Sequence, residues 1–248
     1  MMTGMIFAAG YGTRLKPWTD SHPKALVPVG GRPALDRVVE RMLDAGIDRI
    51  VVNTHHFAGQ IHEHIASRPW AGHIVISHEP ELLDTGGGLR KALPLIGDSP
   101  VLIHNADIMT DIDLRAMIDA HHSLHADATL LTDCRASARF LLFRAEGTLC
   151  GYYRTDGTRM TPDRLPADAI RNAKARCFDG VHIVSQSLYG DLRKYAPDDT
   201  KFSIIDFYRE AGIDHRIHCY DRPADARWYD IGRPETLAAA DTYYTHTR

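Results

Sequence analysis

Five apolar residues run from Met5 to Ala9, and a tight glycine turn follows at once: Gly10-Tyr11-Gly12-Thr13-Arg14. A run that short, with no polar alternation, reads as a strand buried on both faces, so its sheet must be covered on both sides. The turn narrows the choice further. Glycine takes up positive φ and lets a ligand approach the backbone. Successive free N–H groups, with a helix start behind them, can point at one anion. Ten residues beyond Arg14, Lys24 stands between Pro23 and the apolar Ala25-Leu26-Val27. One loop thus carries free amides, a guanidinium and an ammonium, which suits a polyphosphate. Taken alone, the same residues also describe a plain strand-to-helix turn with two surface charges.

The pattern recurs along the chain. Ala34-Leu35, Val38-Val39 and Met42-Leu43 repeat at helical spacing and stop at Gly46. Strands are expected at Arg49–Asn53, His73–Ser77, Val101–Asn105 and Ala128–Thr132. Helices are expected at Gln60–Ala66, Leu89–Leu95 and Leu114–His125. Alternating strands and helices indicate an α/β fold: Rossmann-like, with a mixed, mostly parallel sheet flanked by helices. From about Ser137 the pattern changes. Arg139–Phe143, Cys150–Arg154 and Cys177–Val184 read as strands, joined in part by hairpin turns at Glu146-Gly147 and Asp156-Gly157. The stretch Thr158 to Ala173 reads as loop. Short helices follow at Leu188–Tyr195 and Ile204–Ala211. Late strands are expected at Ile217–Asp221 and Trp228–Ile231, with a closing helix at Pro234–Tyr244. One domain spanning 1–248 is expected, with a nucleotide half over about 1–136 and a more antiparallel half over about 137–248 for the second substrate.

Composition excludes several classes. Of the 248 residues, 44% are hydrophobic and 25% charged, as in ordinary folded proteins. A net charge of −3 gives no basic surface for nucleic acid, so any anion site must be local. No apolar run approaches membrane-spanning length. Met1–Gly4 lacks the basic start of a signal peptide, and the four cysteines, with no C-x-x-C, read as reduced thiols; a cytoplasmic location is expected.

Ligands of open α/β sheets bind beyond the carboxyl ends of strands. Three loops fall there: Gly10 to Lys24, Glu79 to Gly88, and Asn105-Ala106-Asp107. Gly86-Gly87-Gly88 reads either as a flexible turn before a helix or as a flat backbone surface for a base. Asp107 ends an apolar strand, where a lone carboxylate is costly. It reads as a cap or ion-pair partner, or as a ligand of Mg²⁺, which prefers carboxylates together with substrate phosphates. Asp230, within Trp228–Gly232, would be the second carboxylate. His55-His56, His62-x-His64 and His121-His122 lack metal-site spacing and read as solvated faces. There is no G-x-S-x-G elbow and no Walker pattern, and the full dinucleotide fingerprint lacks its third glycine.

Ala8-Ala9-Gly10-Tyr11-Gly12-Thr13-Arg14-Leu15-Lys16-Pro17 followed by His22-Pro23-Lys24-Ala25-Leu26-Val27-Pro28 resembles the signature of the sugar-1-phosphate nucleotidyltransferases. Thr85–Gly88, Asn105–Asp107, Phe178–Val181 and Trp228–Glu235 follow in that family's order, so the resemblance covers essentially the whole chain. It implies an enzyme whose substrates are a nucleoside triphosphate and a sugar 1-phosphate, with Mg²⁺ as cofactor. Ala8, Ala9, Gly10, Gly12 and Thr13 would wrap the triphosphate, and Asn105 would also contact the nucleotide. Arg14 would neutralise the leaving β- and γ-phosphates, and Lys24 would sit on the α-phosphate. Gly86 and Gly87 would face the base, with Glu81 near the base or ribose. Asp179 and Gly180 would lie along the sugar, and Asp107 and Asp230 would hold the metal. In-line displacement needs alignment and charge neutralisation rather than a covalent nucleophile.

Departures are Ala25, Ala106 and Arg233 at positions usually held by proline, glycine and threonine, and Asp179 where a small residue is expected. No left-handed β-helix of the kind that some relatives append is expected, so acetyl transfer is not implied. The form Glu79–Gly88 is most similar to the N-acetylmuramate-1-phosphate uridylyltransferases, favouring UTP. Guanylyltransferases of mannose or heptose 1-phosphate come next, then choline-phosphate cytidylyltransferases. No nucleic-acid or membrane partner is expected, and the chain is expected to be a monomer or homodimer. Two other classes stand beside this reading. One is a non-catalytic nucleotide-sugar sensor, against which the four retained charged residues weigh. The other is a glycosyltransferase using Asp111-Ile112-Asp113, which reads better as a helix cap.

Overall fold

A computed structural model describes residues 2–156, 159–160 and 172–246. Its central sheet is built on β1 (Thr3–Phe7), with Met5 and Ile6 fully buried on opposite faces. Two two-residue strands, β2 (Pro28–Val29) and β3 (Arg32–Pro33), form a small hairpin before α1 (Ala34–Asp44). Helix α1 buries Leu35, Val38, Val39 and Met42, the spacing of one helical face. β4 (Ile50–Thr54), α2 (Ala58–Ala66), β5 (Ile74–His78), α3 (Asp84–Ile96) and β6 (Val101–Asn105) complete the nucleotide half. The order β6-β1-β4-β5 is parallel throughout. Alternate residues of these strands feed two cores: Ile6, Val52 and Leu102 face α1, while Met5, Val51 and Ile103 face α3.

β7 (Ile108–Thr110) and α4 (Leu114–Ser123) lead to β8 (Ala128–Asp133), β9 (Arg139–Phe143), β10 (Leu149–Arg154), β11 (Arg159–Met160) and the long β12 (Lys174–Val184). β12 is antiparallel to β6, β8 and β9, so it joins the parallel half to an antiparallel one. The Glu146-Gly147 hairpin expectation holds, with Gly147 at φ +89° between antiparallel β9 and β10. β13 (Ile217–Asp221) runs parallel to β8.

Several expectations need correction. β14 (Trp228–Asp230) joins no large sheet; it pairs with β7, a strand too short to show a pattern. Within the expected loop, Arg159–Met160 pairs with Tyr152–Tyr153. Positions 158 and 161–171, and Gly157 of the second expected turn, lie outside the described residues. Helix α3 begins at Asp84, not Leu89, and takes the three glycines into its first turns. No helix among the described residues is long and apolar enough to cross a membrane.

Candidate active site

The carboxyl ends of β1, β4 and β6 open into a cleft of about 310 Å³. Its lining includes Phe7 to Gly10, Gly12, Lys24, Asn53, Asn105 to Asp107, and the wall Leu82, Asp84 and Thr85. Gly10 faces this space, with nothing within 4 Å of where a Cβ would stand. Gly12 needs its glycine: φ is +65°, and a Cβ would lie 2.8 Å from that of Lys24. Thr19 Oγ1 donates to the Gly12 carbonyl at 2.9 Å, and Leu15 is buried, so the loop is anchored on both sides. Thr13 is exposed in the turn and does not line the cleft.

Buried polar groups fix the inner end of this loop. Asn53 Oδ1 accepts from the Ala8 amide at 2.7 Å, and Asn53 Nδ2 donates to Glu79 Oε1 at 2.7 Å. Glu79 Oε2 accepts from the Leu83 amide at 3.0 Å. The loops after β1 and β5 are thus tied to the end of β4 by one chain of bonds. Sequence reasoning missed Asn53 and Glu79, since an amide ending one strand and an acid after another carry no local pattern.

Register brings the charged residues together. β7 and β14 pair Ile108 with Asp230, and the Ile231 amide donates to the Asp107 carbonyl at 2.9 Å. Asp107 and Asp230, far apart in sequence, therefore sit at one end of one ribbon. Lys24 donates to Asp107 Oδ2. Arg14 Nη2 lies 3.9 Å from Asp230 Oδ2. Gly232 is the point of convergence: a Cβ there would stand 2.7 Å from Arg14 Nη2, 2.7 Å from Lys24 Nζ and 2.8 Å from Asp230 Oδ1. Only a residue without a side chain leaves this space. Two carboxylates beside such a space suit an oxygen-seeking divalent ion that completes its shell with phosphate oxygens and water. Among the described residues no cluster of three or more His, Cys, Asp or Glu could hold a metal.

Other expected site residues lie elsewhere. Glu81 is exposed and outside the cleft lining. Gly86 and Gly87 are buried, and their amides donate to the Phe202 carbonyl at 2.9 and 3.3 Å, so they present no surface to a base. Gly180, at φ +79°, packs under Asn105, whose Nδ2 would lie 2.9 Å from a Cβ. Asp179 does not lie along a sugar: it has no exposed surface, because Arg135 and Arg222 take its two carboxylate oxygens. Trp228 Nε1 donates to the Asp179 carbonyl at 2.9 Å, and the Arg135 guanidinium lies 4.2 Å from the Trp228 ring centre. This buried network holds the strand that ends in Asp230. Asp113 caps α4, accepting from the Arg115 and Ala116 amides at 2.8 and 3.1 Å. The histidines singled out in sequence are engaged elsewhere, His64 with Asp36 and His121 with Thr129 and Ser185.

Residues 3–139 match the family model described as nucleotidyl transferase, more than half of the chain. The chain belongs to the nucleotidyl transferase family. The N-acetylmuramate alpha-1-phosphate uridylyltransferase of Caulobacter vibrioides is 32% identical over 243 residues, 96% of this chain and 94% of that protein. Its counterpart in Neisseria meningitidis serogroup B is 39% identical over 205 residues, 79% of this chain and 83% of that one. Mannose- and heptose-1-phosphate guanylyltransferases are also among the relatives. A putative glucose-1-phosphate thymidylyltransferase from Bacillus anthracis shares the fold, with TM-score 0.83, 16% identity, and coverage of 100% of this chain and 97% of that one. The nucleotidyltransferase thus has its glycine turn, two cations and two carboxylates at one sheet edge.

Proposed function

We propose that the enzyme transfers a uridylyl group from UTP to N-acetylmuramate 1-phosphate with Mg²⁺, releasing pyrophosphate. The observation that carries the reaction type is the convergence of Arg14, Lys24 and Asp230 around Gly232, with Asp107 paired to Lys24. Relatives named for N-acetylmuramate 1-phosphate, matched over most of the chain, support the substrate choice.

In this reading Gly10 and Gly12 seat the triphosphate against the open backbone of the turn. Lys24 exchanges Asp107 for the α-phosphate, and Arg14 meets the β- and γ-phosphates. An oxygen of the sugar phosphate forms a new bond to the α-phosphorus. The bond from that phosphorus to the bridging oxygen breaks, and pyrophosphate leaves with the electron pair. Asp107 and Asp230 would hold Mg²⁺, which supplies charge neutralisation and orientation of phosphates. Fixed cations facing the developing charge stabilise the transition state without reorganisation.

The test is a matrix of UTP, GTP and CTP against N-acetylmuramate, mannose and heptose 1-phosphates and phosphocholine. Turnover highest for UTP with N-acetylmuramate 1-phosphate supports the proposal. Preference for GTP with mannose or heptose 1-phosphate overturns the substrate assignment but keeps the reaction.

A further inference from the structure

Lys201 lines the cleft from a part of the chain that carries no motif. Its segment is latched to the first turn of α3. The Phe202 amide donates to the Leu83 carbonyl at 3.1 Å, the Phe202 carbonyl accepts from the Gly86 and Gly87 amides, and the Ile204 amide donates to Thr85 Oγ1 at 3.0 Å. The Phe202 ring fills the place of a Gly86 side chain, with Cε2 2.2 Å from where its Cβ would stand. The Thr200 carbonyl oxygen lies 2.5 Å from the corresponding point at Gly87. The glycine run is therefore a seat. It holds the backbone on both sides of Lys201 and so keeps the root of that side chain at the cleft wall. Of the neighbouring acids, Asp198 pairs with Arg90 and Asp199 with Lys91, while Asp84, on the same cleft wall, accepts from the Thr85 amide at 2.6 Å. No described residue forms an ion pair with Lys201.

We propose that Lys201 recognises a carboxylate on the acceptor, so that the preferred acceptors are sugar 1-phosphates carrying a second, carboxylate charge. The inference rests on the function proposed above. The phosphates already have Arg14, Lys24 and the turn of Gly10 and Gly12. Lys201 stands instead with Leu82, Asp84 and Thr85 on the wall built from the loop after β5 and the start of α3. Lys201 is exposed where it lines the cleft and forms no ion pair with a described residue, so its ammonium is available to an anion other than the triphosphate. N-acetylmuramate 1-phosphate has one, the carboxylate of its lactyl ether, attached at a different ring carbon from the phosphate. N-acetylglucosamine 1-phosphate is the same acetamido sugar without that group.

The experiment compares wild-type enzyme, Lys201→Met and Lys201→Arg on these two sugars, each assayed as substrate or as competitive inhibitor. Lys201→Met is expected to raise KM for N-acetylmuramate 1-phosphate about tenfold, the loss of one charge-assisted contact, with no comparable change in KM for UTP or in affinity for N-acetylglucosamine 1-phosphate. Lys201→Arg recovers most of the loss. Equal weakening of both sugars, an unchanged KM, or a rise in KM for UTP in its place overturns this inference alone. Failure of the wild-type enzyme to use N-acetylmuramate 1-phosphate overturns the proposed function and this inference with it.

Discussion

Lys24 donates to Asp107 across the cleft, joining the loop after β1 to the end of β6. Both side chains are largely covered, 12% and 25% exposed, and each is the other's counter-ion. The pair ties the two loops together where both line the cleft, and a phosphate bound there would compete with Asp107 for the Lys24 ammonium.

Removing the charge at Asp107 therefore separates catalysis from folding. Asp107→Asn keeps the shape of the side chain but gives up the proposed metal ligand and the charge that faces Lys24. Turnover should fall by about a hundredfold or more, the scale of losing one electrostatic element of a preorganised site. Stability should change by only about 1 kcal/mol, since the asparagine oxygen can still accept from the Lys24 ammonium. Steady-state kinetics and a thermal melt on the same preparation check both. A variant that fails to fold assigns Asp107 a structural role instead.

Gly232→Ala tests the convergence itself. The added methyl would stand within 2.7–2.8 Å of Arg14, Lys24 and Asp230 and push the charged groups apart. Activity should drop by about tenfold or more, as expected for a small misplacement of reacting groups. The Mg²⁺ concentration for half-maximal rate should rise. Activity titrations against Mg²⁺ decide; a wild-type curve means that the groups do not act together at this point.

Much of this site is legible in sequence because its parts are local. The strand-turn at Met5–Arg14 and the placement of Lys24 rest on neighbouring residues, and the structure puts Gly10, Gly12 and Lys24 on the cleft. The helix face of α1 is equally local. What could not be read depends on distant partners. Asp179 looks like any strand acid until Arg135 and Arg222 close on it from other elements. Asn53 and Glu79 become a network only when β4 and β5 are paired. Three glycines ordinarily weaken a helix, so local pattern places the start of α3 after them. The strap through Phe202, over a hundred residues later, supplies the compensating contact, and nothing in the run itself announces it.

That compensation makes Gly86→Ala a stability variant rather than a nucleotide-binding one. Its methyl would overlap the Phe202 ring, and overpacking of this kind costs about 1–3 kcal/mol. Combined with Phe202→Ala the penalties should be strongly non-additive, because the second change removes the clash. Chemical denaturation of the single and double variants gives the coupling. Unchanged stability with lost nucleotide affinity would instead make Gly86 a platform for the base.

His104 and His182 predict acid sensitivity. Both are buried on paired strands, and His104 Nε2 and both ring nitrogens of His182 have no hydrogen-bond partner. Burial lowers His104 to about 4 and His182 to about 3. The unfolded chain takes up these protons near pH 6.5, before the folded one does, so it binds more of them below that pH. Stability is full above pH 6.5 and declines as the pH falls through the window down to about 3. Unfolding free energies measured from pH 7 to pH 4 should fall by a few kcal/mol, because each histidine protonated only in the unfolded chain costs about 1.4 kcal/mol per pH unit. His182→Phe should flatten the slope; an unchanged slope would place the sensitivity elsewhere.

The most direct measurement is pyrophosphate release from UTP by the wild-type enzyme, with Mg²⁺ and N-acetylmuramate 1-phosphate each supplied or withheld. The account predicts release only when both are present, with an equal amount of nucleoside diphosphate sugar formed. Nucleotide binding without pyrophosphate release from any triphosphate and sugar phosphate, or release that needs no sugar phosphate, contradicts it.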